Sequence, residues 1–535
     1  MSVFTSVPRA NVRKSVQDLS FEHKTTCDMG MLIPTMVKFA YPGDVWKMSL
    51  EAVIRFQPML APLLHTVDAY FHCFFVSMRL LESNWENYIT GGVDGTSSVD
   101  IKRIYNVRED VPGKFSLFDY FGWPLRDIYN PEVSTHPVPV MVHPFYGYHY
   151  ICDEYYRDQT FQSKRLSYGL GGIVTGANGD IEEIRWRNWQ KDYFTSALPW
   201  QQRGIAPALP VDIIGNTFAE WNPMDFFVGQ TQPPNPTHGI GLINVPPQPP
   251  IGQSVVVTNT AGDTNVGVIR QKFVDILNKN VVNMTNADAV SFNVNDMRFV
   301  FQVQKWLERN ARSGVRMTEF LRAHFGTHPT DERLQRPEYI GGCRVPVIFS
   351  EVLQTSESTG TSPQANMAGH GVSVSGNFLG KYRVMEHGII YCILSVMPKI
   401  GYTGLIDRTW MNKTRFDFLF PEFVNLSEQE VLNREIYAQG NAMDEVNFGF
   451  QGRYNDLRSS NDIVSGLMRD DLQHWHLHRN FNSLPGLNSD FISSKDIRKN
   501  IFHVMNEHGL IVNVRHNNIV VRPLPVEPIP GLVDH

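Results

Sequence analysis

The clearest pattern in the chain is an alternation of apolar and polar side chains from Val45 to Phe56. Every second position from Trp46 onward is apolar, and charged or small polar residues fill most positions between them. Side chains two residues apart lie on the same face of a strand. This segment is therefore predicted to be a β-strand with one buried face and one face in contact with water or another molecule.

Two other segments are apolar on both faces and are predicted to be buried strands. From Ile389 to Met397 no residue is charged, and Ser395 is the single small polar one. The run is too short to cross a bilayer, which needs roughly 20 apolar residues. Val67–Met78 has the same character. We therefore expect a central strand region over Phe378–Met397, with protein covering both of its faces.

Helical periodicity is limited to short pieces of the chain. The spacing of apolar residues predicts helices over Ile181–Leu198 and Val294–Arg316, and Asn517–Asn518 predicts a tight turn between two short strands. Strand patterns are scattered from residue 45 to residue 522, without the regular strand–helix alternation of parallel sheets. The sequence thus predicts a mainly β protein, a single eight-stranded antiparallel jelly-roll barrel with long inserted loops and several short helices.

The composition limits which sites the chain can carry. Of 535 residues 42% are apolar, and the net charge of −6 means that any contact with nucleic acid must be local. The five cysteines are odd in number and far apart, without a CxxC pair, so we expect reduced thiols and neither a zinc site nor a disulfide framework. No segment has the pattern of a signal peptide or a membrane-spanning helix, so no membrane insertion is predicted.

Two groups of basic residues are candidates for contact with phosphates. The first 17 residues contain three cations and no acid, so they are predicted to be either a frayed terminus or a mobile arm that lies on phosphates. The second group recurs at helical spacing and is either a solvated, salt-bridged face or a further phosphate-binding stripe. The candidates are Arg9, Arg13 and Lys14 in the arm and Lys305, Arg309, Arg312 and Arg316 in the stripe.

A long segment without charge interrupts the chain between Asp225 and Asp263. It contains no Lys, Arg, Asp or Glu, and prolines restrict its backbone to extended conformations. A loop of this kind loses little entropy on packing, so it is predicted either to pack against copies of itself or to remain a disordered surface loop. Its prolines, which mark the candidate contact and recognition loop, are Pro233, Pro234, Pro236, Pro246, Pro247, Pro249 and Pro250.

Three alternating histidines give the chain its one metal-like pattern. On a strand, His474, His476 and His478 would share a face, where three imidazoles could bind a transition metal. No carboxylate or cysteine stands at a set spacing beside them, so packing is the expected role, and no metal or cofactor is predicted. The motifs of phosphate-binding loops, nucleophile elbows and zinc proteases are absent from the sequence, which predicts a structural protein rather than an enzyme. The alternative is a jelly-roll metal-dependent enzyme or carbohydrate-binding protein that uses these histidines.

Long blocks spread over most of the chain resemble the major capsid protein of the microviruses, and the gokushovirus branch most closely. They are HGIIYCILSVMPKIGYTGLIDR (387–408), QRPEYIGG (335–342), KDYFTSALPWQQ (191–202), FGFQGRYNDLRSSND (448–462), WHLHRNF (475–481) and PIPGLVDH (528–535). The resemblance implies a jelly-roll subunit of a T=1 icosahedral shell around a circular single-stranded DNA phage genome. It also implies that the inserted region builds outward protrusions at the threefold axes.

The expected organisation follows from these patterns and from the resemblance. We expect a basic arm (1–20), a first part of the barrel with loop helices (21–203), a protruding insertion (204–293), a second part of the barrel (294–522) and an extended tail (523–535). The expected partners are other copies of the chain, the DNA genome, minor virion or scaffolding proteins, and a host-cell receptor at the insertion. The expected location is the virion, assembled in the host cytoplasm.

Overall fold

The computed structural model describes residues 13–101, 103–105, 114–123, 139–164, 181–207, 294–353, 367–426 and 428–526. The chain divides into two compact units, one formed by residues 1–204 and 307–535 and the other by residues 205–306. The first unit contains the sheets and both apolar cores described below. Arg9 and the seven prolines of the charge-free segment lie outside the described residues.

Thirteen strands are present in the described part of the chain, and all their pairings are antiparallel. They are β1 (Ser15–Asp18), β2 (Phe21–Cys27), β3 (Ile33–Ala40), β4 (Val45–Phe56), β5 (Val67–Ser77), β6 (Arg103–Tyr105), β7 (Pro139–Met141), β8 (Glu338–Leu353), β9 (Met367–Arg383), β10 (Gly388–Pro398), β11 (Gln429–Leu432), β12 (Asn447–Gln451) and β13 (Leu510–Arg522). The predicted strand at Val45–Phe56 is confirmed at both ends, and the central strand region consists of two strands, β9 and β10.

The main sheet runs in the order β1-β13-β4-β9-β8-β5-β10-β3, and β2 pairs with β13 beside β1. It has nine strands among the described residues, where eight were predicted. The first half of β8 pairs with β5 and its last six residues, Ile348–Leu353, pair with β9. The strand β8 therefore belongs both to the part of the sheet that contains β5 and to the part that contains β9. Because it joins the two parts, the antiparallel sheet curls over a shared core.

The centre of the fold is β10, whose eleven residues are all buried. A helix, His143–Ile151, covers its outer face: the Tyr391 hydroxyl donates to the Pro144 carbonyl at 2.9 Å, and the Tyr148 hydroxyl donates to the Leu32 carbonyl at 2.8 Å. Gly147 allows this approach, since a Cβ there would collide with the Tyr391 ring. Coverage of both faces, predicted from the unbroken apolar run, is confirmed.

The helices are short except for one. They are α1 (Met78–Leu81), α2 (Trp85–Thr90), α3 (Leu117–Tyr120), α4 (His143–Ile151, continued by a π-helix at Cys152–Tyr156), α5 (Val294–Ser313), α6 (Met317–Phe325), α7 (Asn433–Ile436) and α8 (Ser489–Ile492). Single 3₁₀ turns lie at Arg408–Met411, Arg415–Asp417, Pro421–Phe423, Ala442–Glu445, Asn455–Arg458, Gly466–Arg469, Gln473–Trp475 and Ser494–Asp496. The helix predicted over Val294–Arg316 is thus confirmed up to Ser313.

The helix predicted over Ile181–Leu198 is wrong. Most of this segment is irregular, because its backbone groups bond to distant parts of the chain instead of to each other. The Trp189 amide donates to the Ile492 carbonyl at 2.8 Å, and Leu198 exchanges hydrogen bonds with Phe450. The apolar residues that suggested a helical face are buried by these separate contacts.

The turn predicted at Asn517–Asn518 is also wrong, because β13 runs without a break through both asparagines. Asn518 is fully buried in the strand. Its backbone amide donates to the Ser20 hydroxyl at 3.1 Å, and its backbone carbonyl accepts from the Leu19 amide. The backbone groups of Asn518 are therefore satisfied within an extended strand, and no turn is needed to pair them.

Candidate nucleic-acid interface

The basic arm enters the described structure at Arg13 and Lys14, which are both exposed. The Lys14 ammonium donates to the Gly43 carbonyl at 3.4 Å, beside the turn between β3 and β4. Strand β1 begins at the next residue, Ser15, so the predicted mobile arm ends earlier than residue 17 and its last residues belong to the sheet. The two side chains form no ion pair within the described ranges and can reach a phosphate with little rearrangement.

The first part of the predicted basic stripe lies on α5. Lys305 and Arg309 are exposed on this helix. Arg312 is also largely exposed, but its guanidinium forms an ion pair with Glu428, whose side chain is 1% exposed. Breaking that pair would leave a buried carboxylate without its cation, so Arg312 has a structural role in addition to any contact with a ligand.

Arg316 lies outside the helical face on which the spacing placed it. Helix α5 ends at Ser313 because Gly314 adopts φ +93°, and Arg316 therefore lies in the link to α6. Its guanidinium donates to the carbonyls of Asp153 and Arg157, both at 3.1 Å, and to Glu319 at 3.2 Å. The predicted four-residue stripe thus divides into two exposed cations and two that bind other parts of the chain.

A cleft of about 830 Å³ lies beside Arg316 in the first unit. Residues of β5, the 155–160 and 187–198 segments, and the chain from 311 to 339 line it. Its wall includes aromatic rings (His72, Phe74, Tyr155, Tyr156, Tyr339), guanidinium groups (Arg157, Arg187, Arg312, Arg316, Arg336) and carboxylates (Asp158, Glu319, Asp331). Rings and cations together suit a planar, negatively charged ligand such as a nucleotide.

Arg187 is the most enclosed cation of the cleft. Its guanidinium lies 4.3 Å from the centre of the Tyr70 ring and donates to the Ser395 hydroxyl at 2.8 Å. Burial lowers the pKa of Arg187, and burial also lowers the pKa of the neighbouring His72 to about 4. His72 is therefore neutral at pH 7 and forms a 2.7 Å hydrogen bond with the Tyr156 hydroxyl. Sequence reasoning missed this cleft because its residues are far apart in the chain and no spacing connects them.

The three histidines do not share a strand face. His474 lies in a 3₁₀ turn, while His476 bonds to the Met468 carbonyl at 2.9 Å and to His478 at 3.3 Å. The ring of His65 packs edge-on against His478, 4.9 Å away. Within the described ranges no group of three or more His, Cys, Asp or Glu side chains is placed to hold a metal ion. The contacts of His476 and His478 are those of packing.

The described residues define a mainly β protein, in which a curled antiparallel sheet carries exposed cations and an aromatic, basic cleft. None of the described helices is long and apolar enough to span a membrane.

Comparison with known proteins identifies the family. Residues 5–532 match the family described as capsid protein (F protein), so the chain belongs to that family. It is 30% identical to capsid protein VP1 of Chlamydia phage 1 over 99% of this chain and 97% of that protein. It is 31% identical to capsid protein VP1 of Bdellovibrio phage phiMH2K (92% and 90% covered), and 28% identical to that of Spiroplasma virus 4 (95% and 94% covered). The resemblance noted in the sequence is confirmed, and the chain is a structural capsid protein and a virion component.

Proposed function

We propose that copies of this chain assemble in the host cytoplasm into a T=1 icosahedral shell that encloses a circular single-stranded DNA genome. The observation that carries the proposal is the family match over residues 5–532, which leaves almost no part of the chain for another role. In this proposal the curled sheet of the first unit is a jelly-roll barrel, which would leave few exposed strand edges. Minor virion or scaffolding proteins are further partners of the shell.

Electron microscopy of the purified recombinant protein tests this proposal. Uniform closed particles with icosahedral symmetry and one chain in each asymmetric unit are the expected result. Open sheets, filaments or particles of mixed size would contradict the T=1 shell while leaving the membership of the capsid protein family intact.

The genome contacts are proposed to lie at Arg9, Arg13 and Lys14 in the arm and at Lys305 and Arg309 on α5, with the aromatic, basic cleft as a further surface. The exposure of the four described cations supports this assignment. Arg312 and Arg316 remain candidates at the cleft, although their ion pairs reduce the charge that they offer to DNA. Each contact with a phosphate releases counterions, so binding is expected to weaken as salt is raised.

Replacing Arg13, Lys14, Lys305 and Arg309 together by glutamine is expected to weaken binding of single-stranded DNA. The slope of log K against log salt should fall by about 0.7 for each phosphate contact that is lost. The measurement is a fluorescence titration at several salt concentrations. Lys24→Gln is the matched control, because Lys24 is 74% exposed and lies on β2. An unchanged slope in the fourfold variant would remove these residues from the interface.

We further propose that the insertion at 204–293 projects outward, meets its copies at the threefold axes and serves in host attachment. The charge-free, proline-rich composition of residues 226–262 supports this, because such a loop gains little from solvation and loses little entropy on packing. Deleting residues 232–250 is expected to leave particles that assemble but adsorb poorly to host cells. Normal infection by the deletion variant would rule out attachment, and a particle reconstruction with the loop facing inward would rule out the protrusion.

A further inference from the structure

An exposed apolar surface follows the 3₁₀ turns after β10. All ten residues from 413 to 422 are exposed. Among them the exposed fractions of Phe416, Phe418, Leu419 and Phe420 are 50%, 59%, 55% and 40%, and Trp410 before them is 86% exposed. We call residues 410–426 the aromatic ridge. Exposed aromatic residues so close together are typical of contact surfaces in soluble proteins.

The aromatic ridge is ordered by its own polar groups. The Asp417 carboxylate accepts from the amides of Lys413 and Thr414 at 2.9 and 2.7 Å. The Tyr454 hydroxyl accepts from the Phe420 amide and donates to the Phe418 carbonyl, both at 3.3 Å. These bonds fix the backbone before any partner arrives, so binding would cost little conformational entropy.

Three rings of the aromatic ridge form one cluster. Phe423 lies 5.9 Å from both Phe416 and Phe420, centre to centre, and the Arg453 guanidinium lies 5.7 Å from the Phe423 ring. Rigid aromatic side chains grouped with an arginine are the composition of energetic hot spots at protein interfaces. The cluster therefore has the character of the centre of an interface, with the charged residues beside it as the rim.

Two opposite charges on the aromatic ridge lack an ion-pair partner among the described residues. Arg415 stacks 4.7 Å from the Phe416 ring and forms no ion pair with another described residue. Glu422 is exposed and likewise forms none within the described ranges. A patch that carries both an unpaired cation and an unpaired anion around an apolar centre is complementary to itself. Such self-complementarity is what a twofold contact between identical subunits requires, because the same patch then faces itself.

We propose that the aromatic ridge is a contact surface between copies of this chain, in which Phe418 and its neighbours are buried and Arg415 approaches Glu422 of the next copy. The inference rests on the proposed assembly of the chain and assigns a surface to it. The partner can present the same surface, because one copy of the aromatic ridge supplies the apolar area and both charges.

Sedimentation velocity of the full-length chain over a range of concentrations tests this contact. Phe418→Asp is expected to weaken self-association by roughly thirtyfold or more, as for loss of a central aromatic contact. Arg415→Glu is expected to weaken it through repulsion between like charges, and the double variant Arg415→Glu/Glu422→Arg to restore it. The control is Phe378→Asp on β9, where the side chain is also 59% exposed. Circular dichroism checks that each variant folds. If Phe418→Asp does not fold, the Arg415→Glu variant tests the contact in its place.

The possible results separate this contact from the closed shell. Shells formed by both ridge variants as readily as by the wild type would contradict the contact and leave the shell standing. Small oligomers that the ridge variants abolish would support the contact even where closed shells fail to form. A wild-type chain that stays monomeric at every concentration would contradict both. Protection of the Phe416, Phe418 and Phe420 side chains from hydroxyl-radical labelling in dilute monomer would show that the chain's own segments cover the ridge, and would also overturn the inference.

Discussion

Replacing Arg522 by methionine is expected to lower the free energy of unfolding by about 3–5 kcal/mol, because it leaves a buried carboxylate without its cation. The side chain of Asp44 is fully buried, and its Oδ2 accepts from Arg522 Nη2 at 2.8 Å and from Nε at 3.1 Å. Asp44 also accepts from the Tyr41 amide at 3.2 Å. The pair ties the end of β13 to the turn between β3 and β4.

Urea unfolding measures this effect, with each substitution made in the Phe418→Asp subunit, whose self-association is expected to be weak. Arg515→Met is the matched control, since Arg515 lies on the same strand with its side chain exposed, and its replacement is expected to change stability by no more than about 0.5 kcal/mol. The double variant Asp44→Asn/Arg522→Met should recover part of the loss because the unpaired charge is gone. A loss below 1 kcal/mol for Arg522→Met, on the order expected of an exposed pair, would show that water replaces the guanidinium at Asp44.

Acidification from pH 6.5 to pH 4 is expected to destabilise the subunit steeply. Burial lowers the pKa of His516 to about 3 and the pKa values of His65 and His72 to about 4. These rings are neutral in the folded chain but take up protons near pH 6.5 when it unfolds. Their contribution to stability is therefore complete above pH 6.5 and is lost as the pH falls towards 4, with a slope of about 1.4 kcal/mol per pH unit for each group.

Chemical unfolding at a series of pH values checks this expectation. His65→Gln should reduce the slope of stability against pH by roughly one proton. The variant lacks the imidazole that stays neutral beside His478 in the folded chain and takes up a proton on unfolding. His503→Gln, which changes an exposed histidine, should leave the slope unchanged. A flat profile between pH 6.5 and 4 in the wild type would mean that these rings are already protonated in the folded chain.

Local pattern was sufficient to predict the strands with the most regular order of apolar and polar residues. The alternation at Val45–Phe56 gave β4 with its correct ends, and the uncharged run before Met397 identified β10 as the buried centre. In both cases the burial of side chains follows directly from the order of apolar and polar residues. The same reasoning correctly placed most of helix α5, whose apolar and charged faces are marked.

The features that local sequence patterns did not predict depend on contacts between distant segments of the chain. The segment from Ile181 to Leu198 has a helical distribution of aromatic residues, yet hydrogen bonds to residues near 30, 450 and 492 hold it in an irregular path. Arg316 lies outside the predicted basic stripe because a single glycine, Gly314, ends the helix before it. The cleft arises from the packing of separate segments, so no single window of sequence contains its geometry.

The position of β13 determines when the subunit can complete its sheet during synthesis. This strand is formed by residues 510–522, yet it pairs on one side with β1 and β2 and on the other with β4, all from the first 56 residues. Until Leu510 and the residues after it leave the ribosome, β4 has one open edge and β1 and β2 have no partner in the main sheet. A chain that stops before β13 keeps an exposed strand edge, and exposed edges promote aggregation. Only chains that extend through β13 can therefore complete this side of the main sheet.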